Sequence, residues 1–403
     1  MELSVQHSSM SLPNQPLQIL AFEGWDAGSH SQVRHAISQY SRHDWHWVTK
    51  PGRAWKWRLR TGAVDLLADA SHRGLLKVRP NLIFATSMVS VGDLRSLLPT
   101  GMRDVPIIIY MHENQAAYPF RHATHMEKER DYQFALTNLT SCLSADRVLW
   151  NSAWNRDSFL DGIDGLLGKS PEKTCADACR CIMGKSEICW PPVDHPDAVN
   201  GQVLHNRPGL DNSGPLVSGA QAGSTVKEAR GDHVRIVWPH RWEHDKGPDT
   251  LLRLASFLRH RQPGRYRWTL LGEQFRAIPE SLERFQSEFK DDIDHAGWVE
   301  SREAYWSHLR EADWVLSTAR HEFFGIAVVE AMLAGCLPWL PRRLSYPEIL
   351  PAQARELCPS RPIKDEADVR KAMSKHLMAA SPGVAVDTID SQIEDHASSN
   401  PAC

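Results

Sequence analysis

The chain has 403 residues, 42% hydrophobic and 24% charged, which excludes wholesale disorder and allows two domains with substantial cores. A net charge of −3 excludes a chain-wide basic surface, so any polyanion must be met locally. No run approaches the roughly 20 apolar residues of a membrane span. Met1 to Gln18 also lacks the charged-then-apolar order of a signal peptide, so a cytoplasmic, reducing setting is expected, with the eight cysteines as thiols.

In chain order, Leu17–Glu23 reads as a buried strand, followed by a Gly24–His30 loop and a helix to about Tyr40. Gly24 and Gly28 permit tight turns, and Ser29 is a natural N-cap. A glycine loop between strand and helix either approaches a phosphate or sugar or is a plain βα turn. On the first reading Gly28 and Ser29 bind donor. The spacing is not G-x-G-x-x-G, which disfavours a dinucleotide. Trp45 and Trp47 follow and read as core. Between Lys50 and Thr61, tryptophans interleave with cations, and Arg53, Trp55, Lys56, Trp57 and Arg58 form either a packed helix start or an RNA or acceptor surface.

Asn81–Thr86 and Val105–Met111 are further strands, the second ending in His112-Glu113-Asn114-Gln115. A strand's carboxyl end makes His112 a candidate lining of a reaction centre. Helical periodicity over Glu127–Ser144, a strand over Asp146–Ser152 and a capped helix over Trp154–Leu160 complete a β-α alternation, which argues a doubly wound parallel sheet. Ile188–Pro192 closes this first unit, 17–193. The C-x3-C-x-C-x7-C spacing of Cys175, Cys179, Cys181 and Cys189 lacks the paired knuckles of structural zinc, so thiols in a loop-rich region are expected rather than a metal site. Residues 194–230 are small and polar without periodicity and read as a flexible linker or insertion.

A second α/β unit spans 231–378. Its first strand, Val234–Trp238, ends in a loop carrying Arg241 and Lys246, two cations able to stabilise the charge on a departing diphosphate. Later, Ala312–Gly335 reads as a strand, a polar turn and a helix that Gly335 stops. Phe324 and Gly325 open that helix, whose first N–H groups can hold a phosphate, while Glu322 and Glu330 could hold hydroxyls on either side. From about Ala379 the chain turns small and polar, and 379–403 is expected to be a disordered tail.

Taken together, Gly28-Ser29-His30, Lys56-Trp57-Arg58, His112-Glu113-Asn114-Gln115, Trp238 through Lys246, His321 through Gly325 and Tyr346-Pro347-Glu348 resemble the tRNA-queuosine α-mannosyltransferase family, over roughly 17–155 and 231–350. More broadly, Arg241…Lys246 followed by Glu322-x7-Glu330 resembles the donor half of family 4 retaining glycosyltransferases. The resemblance implies the GT-B fold, two Rossmann-like domains facing across a cleft. It implies GDP-mannose as the nucleotide-sugar donor and queuosine in the anticodon loop of tRNA(Asp) as acceptor; no cofactor is expected, and no metal, since fixed cations would meet the diphosphate charge. By motif, Arg241 and Lys246 would bind the diphosphate, Glu322 the sugar hydroxyls and Glu330 the ribose, with His112 bordering the reacting carbon. The C-terminal helix that usually returns to the first domain has no recognisable counterpart after about 360. Two other readings stand beside this one: a GT-B enzyme acting on a lipid, glycan or small molecule, and a non-catalytic RNA or sugar-nucleotide binder.

Overall fold

A computed structural model describes residues 15–118, 125–170, 177–195, 233–274 and 277–399. They form two compact units, the first from the described residues up to Val193 together with those from Ala379 on, the second from the described residues between Asp194 and Met378. The linker expected over 194–230 lies almost entirely outside the described residues. Among these residues no helix is long and apolar enough to cross a membrane.

The first unit alternates β1 (Gln18–Asp26), α1 (Gly28–Tyr40), β2 (Asp44–Pro51), α2 (Trp55–His72), β3 (Leu82–Thr86), α3 (Val91–Leu97), β4 (Ile107–Met111), α4 (His125–Ser144), β5 (Arg147–Trp150), α5 (Ala153–Leu167), α6 (Ala178–Met183) and β6 (Ser186–Ile188). The strands pair in parallel in the order β2-β1-β3-β4-β5-β6. Side chains alternate between the two faces, as a strand's period of two requires. Ile19, Ala21, Leu82, Phe84, Ile108, Tyr110 and Leu149 share one buried cluster with α1. Leu20, Phe22, Ile83, Ala85, Ile107, Ile109 and Val148 share the other with α2 to α6. A sheet buried on both faces needs near-continuous apolar strands, and these have them.

The second unit runs β7 (Val234–Pro239), α7 (Pro248–Arg261), β8 (Tyr266–Leu271), α8 (Glu280–Glu288), β9 (Ile293–Gly297), α9 (Arg302–Glu311), β10 (Trp314–Leu316), α10 (Ile326–Leu333), β11 (Leu337–Trp339), α11 (Tyr346–Ile349) and α12 (Glu366–Leu377). Its parallel order is β11-β10-β7-β8-β9, so the loops after β7 and β10 emerge side by side.

The expectation of a disordered tail is overturned. α13 (Pro382–Ser399) docks on the first unit, with Val386, Ile389 and Ile393 fully buried against Ile19, Val33 and Ile37. Their spacing of three and four puts them on one helical face. On its polar side Arg42 grips Glu394 through two bonds of 2.6 and 2.8 Å, and the Arg42 N–H donates to Asp390 at 2.9 Å. The apolar stripe is narrow and embedded in Asp, Ser and Thr, which is why composition alone reads as a fraying end.

Two smaller expectations also change. Ser29 does not cap α1: Ala27 takes the N-cap position without a side-chain bond, Gly28 adopts φ 53°, and both Gly28 and Ser29 are exposed. In the cysteine segment Cys179 and Cys181 lie on α6, and Cys189 directly follows β6. Cys179 packs with one face of the first sheet and Cys189 with the other, so those two thiols cannot share an ion. Cys175 lies outside the described residues.

Candidate active site

In the second unit the loop after β7 is stitched to the loop after β10. Gly247 sits at φ 66°, and a Cβ there would stand 2.2 Å from the Thr318 carbonyl oxygen, so only glycine allows this approach. Thr318 Oγ1 donates to the Lys246 carbonyl at 2.8 Å, and the Arg320 N–H donates to the Asp245 carbonyl at 2.7 Å. The Lys246 ammonium is thereby held against the second loop, donating to the His321 carbonyl at 3.0 Å and to Glu322 Oε2 at 3.2 Å. Asp245 lies 3.4 Å from it. Burial works to raise the Glu322 carboxyl, but the Lys246 charge and hydrogen bond prevail and hold it below its ordinary value.

Arg241 reaches further out: it is half-exposed and pairs with Glu243 at 3.3 Å. Beneath these groups His240 meets Ser317 Oγ at 2.9 Å, and Ser317 meets the Tyr346 hydroxyl at 2.6 Å. Burial and then the Lys246 charge push His240 down to about 3 and His321 to about 4, so both rings are neutral near pH 7. Phe324 is buried, and its carbonyl accepts from the Ser345 hydroxyl at 2.8 Å. Gly325, at φ 96°, is the N-cap of α10.

Glu330 is placed differently from Glu322. It is 3% exposed, and both of its oxygens are taken: Arg302 donates to Oε1 and the Tyr305 hydroxyl to Oε2, each at 2.8 Å. Arg302 also reaches Asp194 at 3.2 Å. Burial raises the Glu330 carboxyl against the pull of Arg302. Neither Arg302 nor Tyr305 was visible as a site residue in the sequence. The signal available was their position on the helix that follows β9, next in space to α10.

In the first unit His112 follows β4 and is buried beside two groups that the sequence reading did not assign. Glu23 Oε2 lies 3.1 Å from His30 Nδ1 and 3.9 Å from His112 Nε2. The two imidazoles stack with centroids 3.8 Å apart and planes 25° apart. Among the described residues this is a group whose three ligand-type atoms lie within 4.8 Å of one another. An ion bound by both histidines would have to lie near both ring planes, and stacked rings do not offer such a point. As arranged, His30 is hydrogen-bonded to Glu23, and His112 joins the cluster by stacking on the His30 ring.

The basic tryptophan segment divides. Trp45 and Trp47 stack on each other at 5.2 Å and meet Phe84 edge-on, in keeping with a core role. Trp55 packs on Phe134 at 5.0 Å with the Lys56 ammonium over both rings. Arg58 lies 3.5 Å from Asp65. Arg53, Lys56 and Trp57 face solvent at the start of α2, with Trp57 72% exposed.

Two doubly wound parallel domains, with strand-end loops that carry cations and carboxylates, define a glycosyltransferase of the GT-B fold. Solved structures share the fold: the N-terminal domain of Candida albicans trehalose-6-phosphate phosphatase, at TM-score 0.65 and 12% identity, covers 97% of this chain and 99% of its own. The UDP-forming α,α-trehalose-phosphate synthase of Burkholderia xenovorans, at TM-score 0.60 and 12% identity, covers 94% and 99%. Residues 224–356 match the family described as glycosyl transferases group 1, and residues 18–193 match tRNA-queuosine alpha-mannosyltransferase N-terminal. A tRNA-queuosine alpha-mannosyltransferase of Drosophila melanogaster is 33% identical over 336 residues, 83% of this chain and 82% of that protein. The chain belongs to the tRNA-queuosine α-mannosyltransferase family, and it is a hexosyltransferase.

Proposed function

We infer that this enzyme moves mannose from GDP-mannose to queuosine in the anticodon loop of tRNA(Asp), with the α configuration retained. The observation that carries the reading is the match of nearly the whole first unit, residues 18–193, to a domain named for that activity. The donor chemistry draws support from the second unit. Arg241 and Lys246 take up charge on the departing GDP, together with the first N–H groups of α10 after Gly325. Glu322, held ionised by Lys246, accepts from sugar hydroxyls. Glu330 serves the ribose, alone or through Arg302 and Tyr305. His112 borders the sugar, and Gly28 and Ser29 contribute the exposed loop of the first unit. In same-face attack the acceptor hydroxyl loses its proton to a leaving-phosphate oxygen as the glycosidic bond to GDP breaks and the new one forms. No metal or cofactor is called for, because fixed cations meet the phosphate charge. Arg53, Lys56 and Trp57, with Trp55 and Arg58 behind them, suit an RNA loop: cations for phosphates and an open indole for an unpaired base. A tRNA substrate and a family enzyme without a membrane-crossing helix among its described residues fit a cytoplasmic setting.

The test is to incubate the protein with queuosine-containing tRNA and, separately, GDP-mannose, GDP-glucose and UDP-galactose. Digestion to nucleosides and mass spectrometry should show a hexose gain on queuosine with GDP-mannose alone. A gain with another donor reassigns the sugar, and no gain with any of them removes queuosine as the acceptor.

A further inference from the structure

The cluster around His112 holds two buried groups that the transfer as proposed does not use. Glu23 ends the apolar run of β1 and is 1% exposed. Its Oε1 accepts the Trp25 N–H at 2.7 Å and the Thr86 hydroxyl at 3.0 Å, and its Oε2 faces His30 Nδ1 at 3.1 Å. The Trp25 N–H, the Thr86 hydroxyl and the His30 ring thus all converge on this buried carboxylate. His112 Nε2, at 3.9 Å, is beyond hydrogen-bond reach, so of the two imidazoles His30 is the one hydrogen-bonded to the carboxylate. Two rings stacked at 3.8 Å repel each other if both carry a proton. The ring bonded to the carboxylate is the one that keeps it.

We propose that Glu23 and His30 are positioning residues whose ion pair places the cluster's proton on His30 and holds His112 as a neutral, fixed ring. The inference rests on the reading of His112 as a neighbour of the transferred sugar. Charge develops at the sugar's anomeric carbon as the bond to GDP breaks, and an imidazolium at His112 would oppose it, whereas a neutral ring can still bond a hydroxyl. The surrounding groups act in the same sense. Burial lowers His30, but Glu23, then Glu113 after β4 and Asp26 on β1, raise it above its ordinary value. Burial and then the His30 charge hold His112 well below. Asp26 is itself paired with Arg34 of α1 at 2.9 Å. Tyr110, edge-on to His112 at 4.7 Å, donates its hydroxyl to the Cys189 carbonyl at 3.0 Å and stays protonated, since burial raises it.

The full chain and its Glu23→Gln and His30→Gln variants are to be compared by the pH profile of kcat for hexose transfer and by 15N–1H spectra of the histidine rings, assigned with His112→Gln. In the natural protein His30 should read as an imidazolium at pH 7, and His112 as neutral from pH 8 down to pH 5, with no acid limb in kcat near pH 6. Glu23→Gln should lose the imidazolium signal at pH 7 and gain an acid limb, with kcat falling about tenfold by pH 5.5 and much less at pH 8. His30→Gln should gain the same limb. A histidine-ring spectrum in which His112 titrates near its ordinary value in the natural protein overturns the proposal. So does an equal loss of rate at every pH with both ring signals unchanged, which would be a packing effect. GDP binding checks that each variant is folded. If the natural protein transfers no hexose, the functional reading fails, while the spectra still decide where the proton resides.

Discussion

The two halves of this enzyme place chemistry at the carboxyl ends of parallel strands by opposite means. In the second unit charged groups lie in two adjacent loops, and one buried ammonium, Lys246, is met by Glu322 and Asp245 on neighbouring stretches of backbone. In the first unit the cluster joins Glu23, His30 and His112, three residues from β1, α1 and the end of β4, by ring stacking as much as by charge. The second arrangement is a set of fixed charges suited to a diphosphate. The first is a proton held in one place and kept from another. A substitution in the second unit should therefore act on leaving-group charge at every pH, whereas one in the first should act through pH or through the acceptor.

Lys246→Ala should give the largest effect. Losing one buried donor to developing negative charge costs about 10²–10³-fold in turnover. Hexose transfer measured at pH 6, 7 and 8 should fall by the same factor at each, with a lowered melting temperature because the Glu322 carboxylate loses its ammonium partner. Full activity in this variant would remove Lys246 from the diphosphate site. A loss confined to low pH would erase the contrast between the halves.

The contrast also explains what the sequence could and could not disclose. The Arg241–Lys246 loop and the Glu322-x7-Glu330 stretch are local patterns, each a strand end running into a helix, while the pairing of β7 with β10 is what brings Lys246 to Glu322. The doubly wound parallel class of both sheets was legible from apolar runs alternating with helical periods, whereas the strand orders β2-β1-β3-β4-β5-β6 and β11-β10-β7-β8-β9 are read from the structure. Glu23 was hidden because it reads as the last residue of a buried strand; only pairing of β1 with β3 and β3 with β4 carries it to Thr86 and His112. Arg302 and Tyr305 read as an ordinary amphipathic helix start, since nothing in their own segment names Glu330 as a partner. α13 was missed because Val386, Ile389 and Ile393 are a thin stripe whose partners Ile19, Val33 and Ile37 lie at the other end of the chain. Long-range partnership is the part of the fold that one sequence states least directly.

A smaller effect is expected at the acceptor surface. Trp57 stands open at the start of α2 beside Arg53 and Lys56. Stacking of one unpaired base on an aromatic ring is worth about 1–3 kcal/mol, so Trp57→Ala should raise KM for tRNA roughly fivefold to a hundredfold. Affinity for GDP-mannose, measured by calorimetry, should be unchanged. Trp55→Ala should instead lower the melting temperature, because that ring packs on Phe134. If Trp57→Ala leaves the tRNA KM untouched, the acceptor lies elsewhere on the first unit.

The finest distinction lies within the second unit, between its two glutamates. The folded-state value of Glu322 is lowered, so its ionised form contributes stability above the ordinary carboxylate range, and that contribution is lost as pH falls through the lowered value. Glu330 has the opposite sign. Its folded-state value is raised by burial, so at neutral pH its charge opposes folding, and the opposition fades as pH falls through the raised value toward the ordinary one. Glutamine keeps the shape and one accepting oxygen of each side chain while removing the charge; at Glu330 that oxygen can still face Arg302 while the amide N–H donates to the Tyr305 hydroxyl oxygen. Melting temperatures taken from pH 8 to pH 4 should therefore show Glu322→Gln below the natural protein at pH 7, with the gap closing on acidification. Glu330→Gln should melt at or above the natural protein at pH 7, with that gap also closing as the natural side chain takes up its proton. Both variants should bind GDP-mannose more weakly at pH 7, since each loses an acceptor charge for hydroxyls. Were Glu330→Gln to melt well below the natural protein at neutral pH, the pair with Arg302 would outweigh burial, and Glu330 would be a structural anchor for α9 rather than a strained carboxylate kept for the nucleotide.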